Sequence, residues 1–402
     1  MAGILKTKRT FHIGLLIERN RAYGRALAEG VASFARERRD MSLSFINGKT
    51  ISKRTNLTSF DGFIARVVDD RIANILGATK RPVVDVFYGR PHHGFAVVES
   101  DHHATGAKAA EHFLERRFTR FAFCGDASGY SRSLANGFRR RLAKEGIDAE
   151  VYSPAKSIHY EFDAANVIDD EMGPPADGER LRRWLRDLPK PTAVFCVHDL
   201  RAMNVLKSCK SEKIEVPRSI AILGVDDDRL LCEFSTPTIS SIDPNAQAIG
   251  RAAAQTLMDM LATPRHREHP PFVVVGPKDV VVRESSEVFP IEPAWLSNAL
   301  VFIQAHAADG INAADVLEFV GKSHTLVNRT FKAKLGTNVQ QQINHVRMEL
   351  AQRLLKESSL PVKEIALRAG YQSAIYFNRA FSAAHGGVSP GSWRGKVRGK
   401  AS

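Results

Sequence analysis

The chain has 402 residues, 44% of them hydrophobic, which is more than one core usually serves and predicts two or three domains. Its formal net charge is +13, and residues 291–402 carry 14 Lys and Arg against 7 Asp and Glu, so a polyanionic partner such as nucleic acid is favoured. The sequence has no apolar run of membrane-spanning length, no signal peptide and no CxxC pair. We therefore expect a cytoplasmic protein with no membrane partner, no disulfide framework, no metal site and no cofactor.

After a basic tail at 1–11, residues 12–283 alternate short apolar runs with helical stretches. The runs that we predict as buried strands are HIGLLI (12–17), GFIARV (62–67), PVVDVF (82–87), RFAFCG (120–125), TAVFCV (192–197) and IAILGV (220–225). Continuous apolar runs separated by helices are typical of parallel sheets covered on both faces. Because this region is large for one open sheet, we predict an α/β fold of two lobes, each with its own parallel sheet.

Polar side chains follow several of these strands, where a two-lobed α/β domain binds a small ligand in the cleft between its lobes. The candidate ligand-binding residues are Asn20, Tyr23, Arg25, Asp101, Arg132, His198, Asp199, Asp226 and Asp227. Carboxylates and guanidinium groups hydrogen-bond sugar hydroxyls, and an aromatic ring packs on the C–H face of a sugar. The alternative for each is structural: Asp199 or Asp227 would cap the next helix, Arg25 would lie on the surface and His198 would be a loop residue.

The same region resembles the periplasmic-binding-protein-like sugar domain of the lactose- and galactose-repressor type. The matching segments are R-x-x-x-x-G-F at 132–138, CVHDLRA at 196–202 and ILGVDD at 222–227. The resemblance implies that Arg132, the residue at 198 and Asp226 line a sugar site. His198 stands where that family commonly has Asn. Those repressors carry a DNA-binding headpiece before this domain, whereas here the first predicted strand begins at residue 12.

The pattern changes after residue 283, where two prolines and weak periodicity predict a linker over 284–296. Residues 297–395 are helical throughout and are followed by a basic tail at 396–402. Within them, INAADVLEFVG (311–321) and PVKEIALRAG (361–370) each place apolar residues on one helix face before a Gly stop. The helices that follow, at 323–331 and 373–381, both fit S-x-x-x-x-N-R-x-F. Two helix-turn-helix units in one domain are therefore predicted.

The second helix of each unit has a polar stripe suited to base edges in the major groove. The candidate DNA-binding residues are Ser323, Thr325, Asn328, Arg329 and Lys332 in the first unit, and Ser373, Ile375, Asn378, Arg379 and Ser382 in the second. Arg suits guanine and Asn suits adenine, whereas Ile375 offers only contact with a thymine methyl group, so the second unit is predicted to read sequence less stringently. The alternative is a helical dimerisation or lid domain with a solvated basic face.

A predicted helix over 338–358 connects the units. It spans roughly 30 Å, close to the ~34 Å of one DNA turn, which favours reading of successive major grooves. The segments RMELAQRLL (347–355), I-A-x-x-x-G-Y-x-S-x-x-Y-F-x-R-x-F (365–381) and SPGSWR (389–394) resemble the AraC/XylS family of DNA-binding domains over 297–395. The resemblance implies a double-stranded DNA partner with direct-repeat or paired half-sites.

A sugar domain followed by an AraC-type domain resembles the sugar-operon regulators of that family over essentially the full length. The resemblance implies a small sugar effector, favours a xylose-like pentose, and implies an activator that acts as a homodimer, contacts RNA polymerase and associates with the nucleoid. The alternatives are a repressor responding to another monosaccharide, a plain sugar-binding module, or an enzyme with a DNA-binding appendage. The sequence has no GxSxG, HExxH, Walker loop or GxGxxG, so we do not expect an enzyme.

Overall fold

The computed structural model describes residues 9–48, 50–52, 54–87, 94–126, 128–152, 175–263 and 269–398. They form two compact units, one ending at Glu287 and one beginning at Val288, which are described separately below. The N-terminal unit is α/β and the C-terminal unit is helical, as the sequence predicts. No helix among the described residues combines the length and apolar character needed to cross a bilayer.

Strands and helices alternate along the N-terminal unit. Its strands are β1 Phe11–Leu16, β2 Met41–Phe45, β3 Gly62–Ala65, β4 Val83–Asp85, β5 Ala96–Ser100, β6 Phe121–Cys124, β7 Ala149–Tyr152, β8 Thr192–Cys196, β9 Ile220–Val225, β10 Ser240–Ile242, β11 Phe272–Val275 and β12 Val280–Val281. Its helices are α1 Ala22–Arg38, α2 Asp70–Ala78, α3 His102–Glu115, α4 Gly129–Ala143, α5 Pro175–Asp187, α6 Asp199–Ser211, α7 Arg229–Phe234 and α8 Ala246–Ala262.

The described strands form two sheets, one in each lobe. The first has the order β11-β5-β4-β3-β1-β2, and the second has the order β12-β10-β9-β8-β6-β7. Every pair is parallel except β10 with β12, which is antiparallel. The six apolar runs singled out in the sequence are all strands here. By contrast, β2, β7, β11 and β12 were not predicted: β2 and β7 mix polar and apolar residues, and β11 and β12 are apolar but short and partly exposed.

The chain passes between the lobes after β5, after β10 and after β11. These crossovers are tied to one another: the Asp101 amide donates to the Val275 carbonyl at 2.8 Å, and Lys278 Nζ bonds Asp243 Oδ2 at 2.8 Å. The strand ends of both lobes therefore face one cleft beside this hinge.

Close packing of α3 against α4 explains part of the R-x-x-x-x-G-F motif. A side chain at Gly137 would collide with the backbone of His103, and one at Gly106 would collide with the backbone of Leu134. Glycine at both positions lets the two helix backbones touch. The motif thus has a packing role besides any ligand contact.

The segment predicted as a linker is largely ordered against its neighbours. Glu284–Ser286 form a 3-10 turn whose serines bond within the N-terminal unit: Ser285 Oγ donates to the Ile222 carbonyl at 2.7 Å, and Ser286 Oγ bonds the buried His112 ring at 2.8 Å. Val288 and Phe289 are buried, and the first helix of the C-terminal unit begins at Ala294.

The C-terminal unit consists of two small helical cores joined by one long helix. Its helices are α9 Ala294–His306, α10 Ala313–Val320, α11 His324–Leu335, α12 Val339–Glu357, α13 Val362–Arg368, α14 Ala374–Ala384 and α15 Pro390–Arg398. Val339, Ile343 and Val346 of α12 pack in the first core, and Ala351 and Leu355 pack in the second. The helix pairs α10–α11 and α13–α14 are the two predicted helix-turn-helix units.

Candidate ligand cleft and nucleic-acid interface

Asp226 marks the end of β9 at the cleft. Its φ is 108° and that of Asp227 is 45°, so two successive non-glycine residues adopt positive φ. Such backbone is uncommon and concentrates at functional sites. Burial raises the pKa of the Asp226 carboxyl to about 7, although the nearby Arg21 and Arg66 guanidinium groups oppose the shift. A half-buried carboxyl under the influence of two guanidinium groups thus lies at this strand end.

The opposite wall belongs to the N-terminal lobe. Glu18 and Arg66 form an ion pair there, and the Arg66 guanidinium lies 4.6 Å from the centre of the Phe87 ring. Tyr23 lies close to this pair. Its pKa is raised above the usual range by burial, and the negative charges of Glu18, Asp226 and Glu99 also raise it. Groups from both lobes therefore converge on the Tyr23 hydroxyl.

Tyr130, at the start of α4, brings a second phenol to the same place. Burial raises its pKa well above the usual range, and the charges of Asp226 and its neighbours act in the same direction. The His102 ring packs edge-on against Tyr130 at 4.8 Å between centroids. The cleft therefore combines two aromatic rings, carboxylates and guanidinium groups, which is the chemistry of a polyhydroxylated ligand site.

Several predicted ligand residues instead have structural partners. Asp199 is fully buried, accepting from Ser241 Oγ at 2.5 Å and from the Asp228 amide at 2.7 Å. Asp227 forms an ion pair with Arg283 at 2.8 Å. Asp101 caps α3, accepting from the Ala104 amide at 2.8 Å. Asp101 is thus a helix cap, whereas the expected capping role of Asp199 and Asp227 is wrong: His198 and Asp228 cap the helices after β8 and β9, and Asp199 and Asp227 have the other partners given above.

His198 also caps a helix, its Nδ1 accepting from the Arg201 amide at 3.0 Å. Burial, with the charges of Arg21 and Arg201, lowers the pKa of His198 to about 3, so the ring is neutral. With Nδ1 as acceptor, Nε2 carries the proton. The effect of Arg21, which lies in the N-terminal lobe, places His198 near the cleft.

The remaining predictions fall on exposed positions. Arg25 Nη1 donates to the Asn20 carbonyl at 2.9 Å and to the Arg19 carbonyl at 3.2 Å, which ties down the loop after β1. The Asn20 and Arg132 side chains are exposed. A contact nevertheless spans the lobes here, since the Ala22 amide donates to Asp228 Oδ2 at 3.4 Å. The structure thus brings Tyr23 and Asp226 together and leaves Asn20, Arg25 and Arg132 at the periphery.

Sequence reasoning missed four cleft residues: Glu18, Arg66, Glu99 and Tyr130. A signal was present for two of them, since Arg66 lies inside the apolar run GFIARV and Glu99 lies inside a similar apolar segment, FAVVES at 95–100. A charged residue within or directly after a buried strand is costly unless it has a partner or a ligand. No group of three or more metal-ligating side chains occurs within the ranges that the structure describes.

A separate open cavity of about 510 Å³ lies along α1 and the start of α8, between Glu29, Arg36, Asn245 and Arg251. Its charged side chains are on the surface, and Arg251 forms an ion pair with Glu37. None of the residues that line it is a buried polar group of the kind found in the cleft. The cleft around Asp226 is therefore the better candidate for a ligand site.

The first helix-turn-helix unit exposes its predicted stripe. Ser323 caps α11, and Thr325, Arg329 and Lys332 are exposed while Val327 and Phe331 are buried beneath them. The Asn328 amide is half-buried and bonds His324 Nε2 at 3.0 Å. His324, which the sequence did not single out, therefore holds Asn328 in place on the exposed face.

The second unit exposes a different surface on the same scaffold. Ser373 caps α14, and Asn378 and Arg379 are exposed, with Ser382 half-buried. Ile375 is 69% exposed, and its neighbour Tyr376 is 55% exposed. Tyr376 corresponds to the half-buried Leu326 of the first unit, so the second helix offers two apolar side chains where the first offers one hydroxyl.

Contacts within the C-terminal unit fix one helix-turn-helix pair against the other. The buried Arg347 of α12 donates to the Ala307 carbonyl at 2.9 Å and to the Ile311 carbonyl at 2.7 Å. Gly370, at φ 81°, sits where a side chain would collide with that same Ala307 carbonyl. The turn of the second pair therefore packs on the start of the first. Together with the length of α12, about 28 Å, these contacts set the spacing of the two recognition helices.

Comparison with known proteins agrees with this architecture. A periplasmic binding protein-like domain model matches residues 110–286, and a helix-turn-helix domain model matches residues 317–396. The chain is 28% identical to the xylose operon regulatory protein of Escherichia coli K12, over 94% of this chain and 95% of that protein. It is 26% identical to that of Haemophilus influenzae, over 93% and 96%. The structure of a xylose-binding transcription activator, XylR, superimposes with a TM-score of 0.60 at 26% identity, covering 96% of this chain and 98% of that one.

The chain is a DNA-binding transcription regulator. Its likeness to such regulators runs through both units, in the order sensor then DNA-binding domain. The prediction that it is not an enzyme is confirmed, because its full-length relatives are regulators. The predicted partnership with DNA is confirmed as well, so the exposed helices α11 and α14 are the regulator's candidate recognition helices.

Proposed function

We propose that the regulator is a xylose-responsive activator of a pentose-catabolic operon. The observation that carries the proposal is the full-length likeness to proteins named for the xylose operon, together with a cleft whose buried groups suit a polyhydroxylated ligand. The sensor would comprise residues 12–283 and the DNA-binding domain residues 297–395, with 284–296 connecting them and short basic tails at 1–11 and 396–402.

In the cleft, Asp226 would bind sugar hydroxyls from the C-terminal lobe while Tyr23 and Arg66 contact the ligand from the opposite wall. Tyr130 would pack a ring on the sugar. The neutral His198 would donate from Nε2, as the Asn common in related sugar domains would from its amide. A ligand held by both lobes favours the closed arrangement, because it gains contacts there that the open one lacks.

On DNA, Arg329 and Arg379 would read guanine while Asn328 and Asn378 read adenine. Lys332 would contact phosphate. One chain would occupy successive major grooves, and a homodimer would occupy two half-sites of a direct repeat or paired operator. The activator would contact RNA polymerase from such a site and would act in the cytoplasm, associated with the nucleoid.

A thermal-shift panel of monosaccharides tests the effector. Each sugar is added to the full chain, since a ligand that binds only the folded state raises its stability. We expect D-xylose to raise the Tm most, ahead of D-ribose, L-arabinose and D-glucose. A panel in which another sugar stabilises strongly and D-xylose does not would overturn the proposed effector.

A reporter gene behind the regulator's own operator separates activation from repression. We expect expression to rise with sugar only when the regulator is present. Expression that is high without the regulator and falls when it is added would instead indicate the repressor alternative.

A further inference from the structure

Glu99 is a buried carboxyl group at the end of β5. The residue is 8% exposed, and its Oε2 atom has no hydrogen-bond partner among the described residues. The charges of Asp85 and Asp101 act on it, and its own charge acts on Tyr23. Glu99 therefore lies in the N-terminal wall of the cleft, within electrostatic reach of the phenol on which both lobes converge.

Glu18 repeats the pattern just after β1, in the same sheet as β5. Its side chain is 6% exposed, and one carboxylate oxygen binds Arg66. The other oxygen, Oε2, is buried without a hydrogen-bond partner in the described part of the chain. Its charge, like that of Glu99, acts on Tyr23. Two buried carboxylate oxygens without a partner among the described residues thus belong to groups that act on the same tyrosine.

Asp85 shows what a purely structural carboxyl in this wall looks like. It ends β4, beside β5, and its Oδ1 accepts from the Val67 amide at 3.1 Å and the Phe87 amide at 2.9 Å. Burial raises the pKa of Asp85 to about 7 and that of Glu99 to about 8. The two acids share an environment, but only Asp85 has backbone partners.

A buried polar group without a partner destabilises the folded protein, so such groups concentrate where a ligand supplies the missing bond. We propose that Glu99, with Glu18 on the same lobe, is an effector-binding residue whose vacant oxygen bonds a hydroxyl group of the sugar on the N-terminal lobe. This inference rests on the proposed sugar-binding function and extends it to residues that face Asp226 across the cleft. Glu99 then selects for a hydroxyl at one ring position.

The test compares Glu99→Leu with Glu99→Gln and, as a matched control, Asp85→Leu, each in the full chain. Calorimetry measures the affinity for D-xylose and its monodeoxy analogues, and thermal unfolding measures the Tm without sugar. We expect Glu99→Leu to weaken D-xylose binding at least tenfold and to raise the ligand-free Tm, since an unpaired buried carboxyl is removed. Asp85→Leu should lower the Tm because two amides lose their acceptor.

The analogues locate the contact. One monodeoxy sugar should bind the unsubstituted regulator at least tenfold more weakly than D-xylose. Its affinity should not fall further in Glu99→Leu, because the hydroxyl that would bond Glu99 is already missing from this sugar. Glu99→Gln, which keeps an oxygen at that position, should recover part of the affinity. Two outcomes would refute the role of Glu99. The first is an unchanged affinity of Glu99→Leu for D-xylose. The second is a lower Tm in Glu99→Leu together with an equal loss of affinity for every analogue.

The two proposals fail separately. If the unsubstituted regulator binds no sugar of the panel, the proposed function fails and this inference fails with it. If the unsubstituted regulator binds sugar but Glu99→Leu binds it equally well, only the inference fails.

Discussion

The functional side chains of the two units differ in exposure. In the cleft, Asp226 and Tyr23 are half-buried and Glu99 is buried, and burial is the largest cause of their raised pKa values. On the recognition helices, Arg329 and Arg379 are exposed above a buried apolar face. A sensor must discriminate a small neutral ligand through desolvated hydrogen bonds, whereas a DNA reader needs charges that reach outward. Substitutions in the cleft should therefore have larger effects on their ligand than substitutions on the helices have on theirs.

Asp226→Ala should give the largest effect. We expect D-xylose affinity to fall roughly 100-fold. Removing the carboxyl leaves ligand hydroxyls without their hydrogen-bond partner in a desolvated site, which costs about 1–3 kcal/mol or more of binding free energy. Binding of the operator without sugar should be unchanged. Calorimetry and electrophoretic mobility shift measure the two quantities.

The control is Asp243→Ala, which breaks the Lys278 ion pair at the hinge and leaves the cleft walls intact. Sugar affinity that falls equally in both variants would show that Asp226 acts through the hinge and does not contact the ligand.

Arg329→Ala and Arg379→Ala compare the recognition helices with each other. Each bidentate arginine contributes about 1–3 kcal/mol of base discrimination, so Arg329→Ala should cost roughly 10- to 100-fold in operator affinity and relax the preference at one base pair. Arg379→Ala should cost less if the second unit is the more permissive reader. Sugar binding should be unaffected in both.

Competition binding against single-base operator variants measures this preference. Equal losses on every sequence would mean that Arg329 contacts phosphate and that the exposed stripe positions the protein without reading bases.

The exposed residues were the easier ones to predict from sequence. Helical spacing alone separates the buried Phe331 from the exposed Arg329, since both faces follow from one period of 3.6 residues. The cleft depends on tertiary structure. Glu18 and Arg66 are 48 residues apart and meet only because β1 and β3 are neighbours in the sheet, an order that no local pattern encodes. Strand ends indicated the right edge of each sheet but did not distinguish Asp226, which faces the cleft, from Asp227, which binds Arg283.

A smaller effect is expected from Ile375→Thr, which gives the second recognition helix the hydroxyl that Thr325 provides in the first. Ile375 is 69% exposed, so the change should leave the fold intact. We expect base preference in the second half-site to sharpen a few-fold, since a hydroxyl bonds base edges that an isoleucine only touches. Selection from a randomised half-site measures this, and Thr325→Ile should relax the first half-site by a similar factor. An unchanged second half-site after Ile375→Thr would place Ile375 away from the bases.

The smallest effect concerns pH and separates the two units again. Burial raises the pKa of Asp226 and Asp85 to about 7 and that of Glu99 to about 8, above their unfolded values near 4. A carboxyl with a raised folded pKa contributes stability that is present at low pH and lost as pH rises through that value. The ligand-free N-terminal unit should therefore lose stability between pH 6.5 and 8.

Buried histidines change the stability of the N-terminal unit with pH in the opposite direction. Burial lowers the pKa of His198 to about 3 and that of His102 to about 4, below the unfolded value near 6.5. Their contribution is present above pH ~6.5 and is lost as pH falls below it. Between pH ~4 and ~6.5 the histidines therefore oppose the carboxyls, and above pH ~6.5 this opposition ends, so the Tm of the N-terminal unit should fall most steeply there. The C-terminal unit is the internal reference, since its Tyr371 titrates only near 12. Calorimetric scans from pH 5 to 8 follow both transitions, with the sensor transition identified by its shift on adding sugar. Asp226→Asn combined with Glu99→Gln should flatten the decline of the Tm above pH ~6.5. A slope that survives both substitutions would assign the pH dependence to groups outside the cleft.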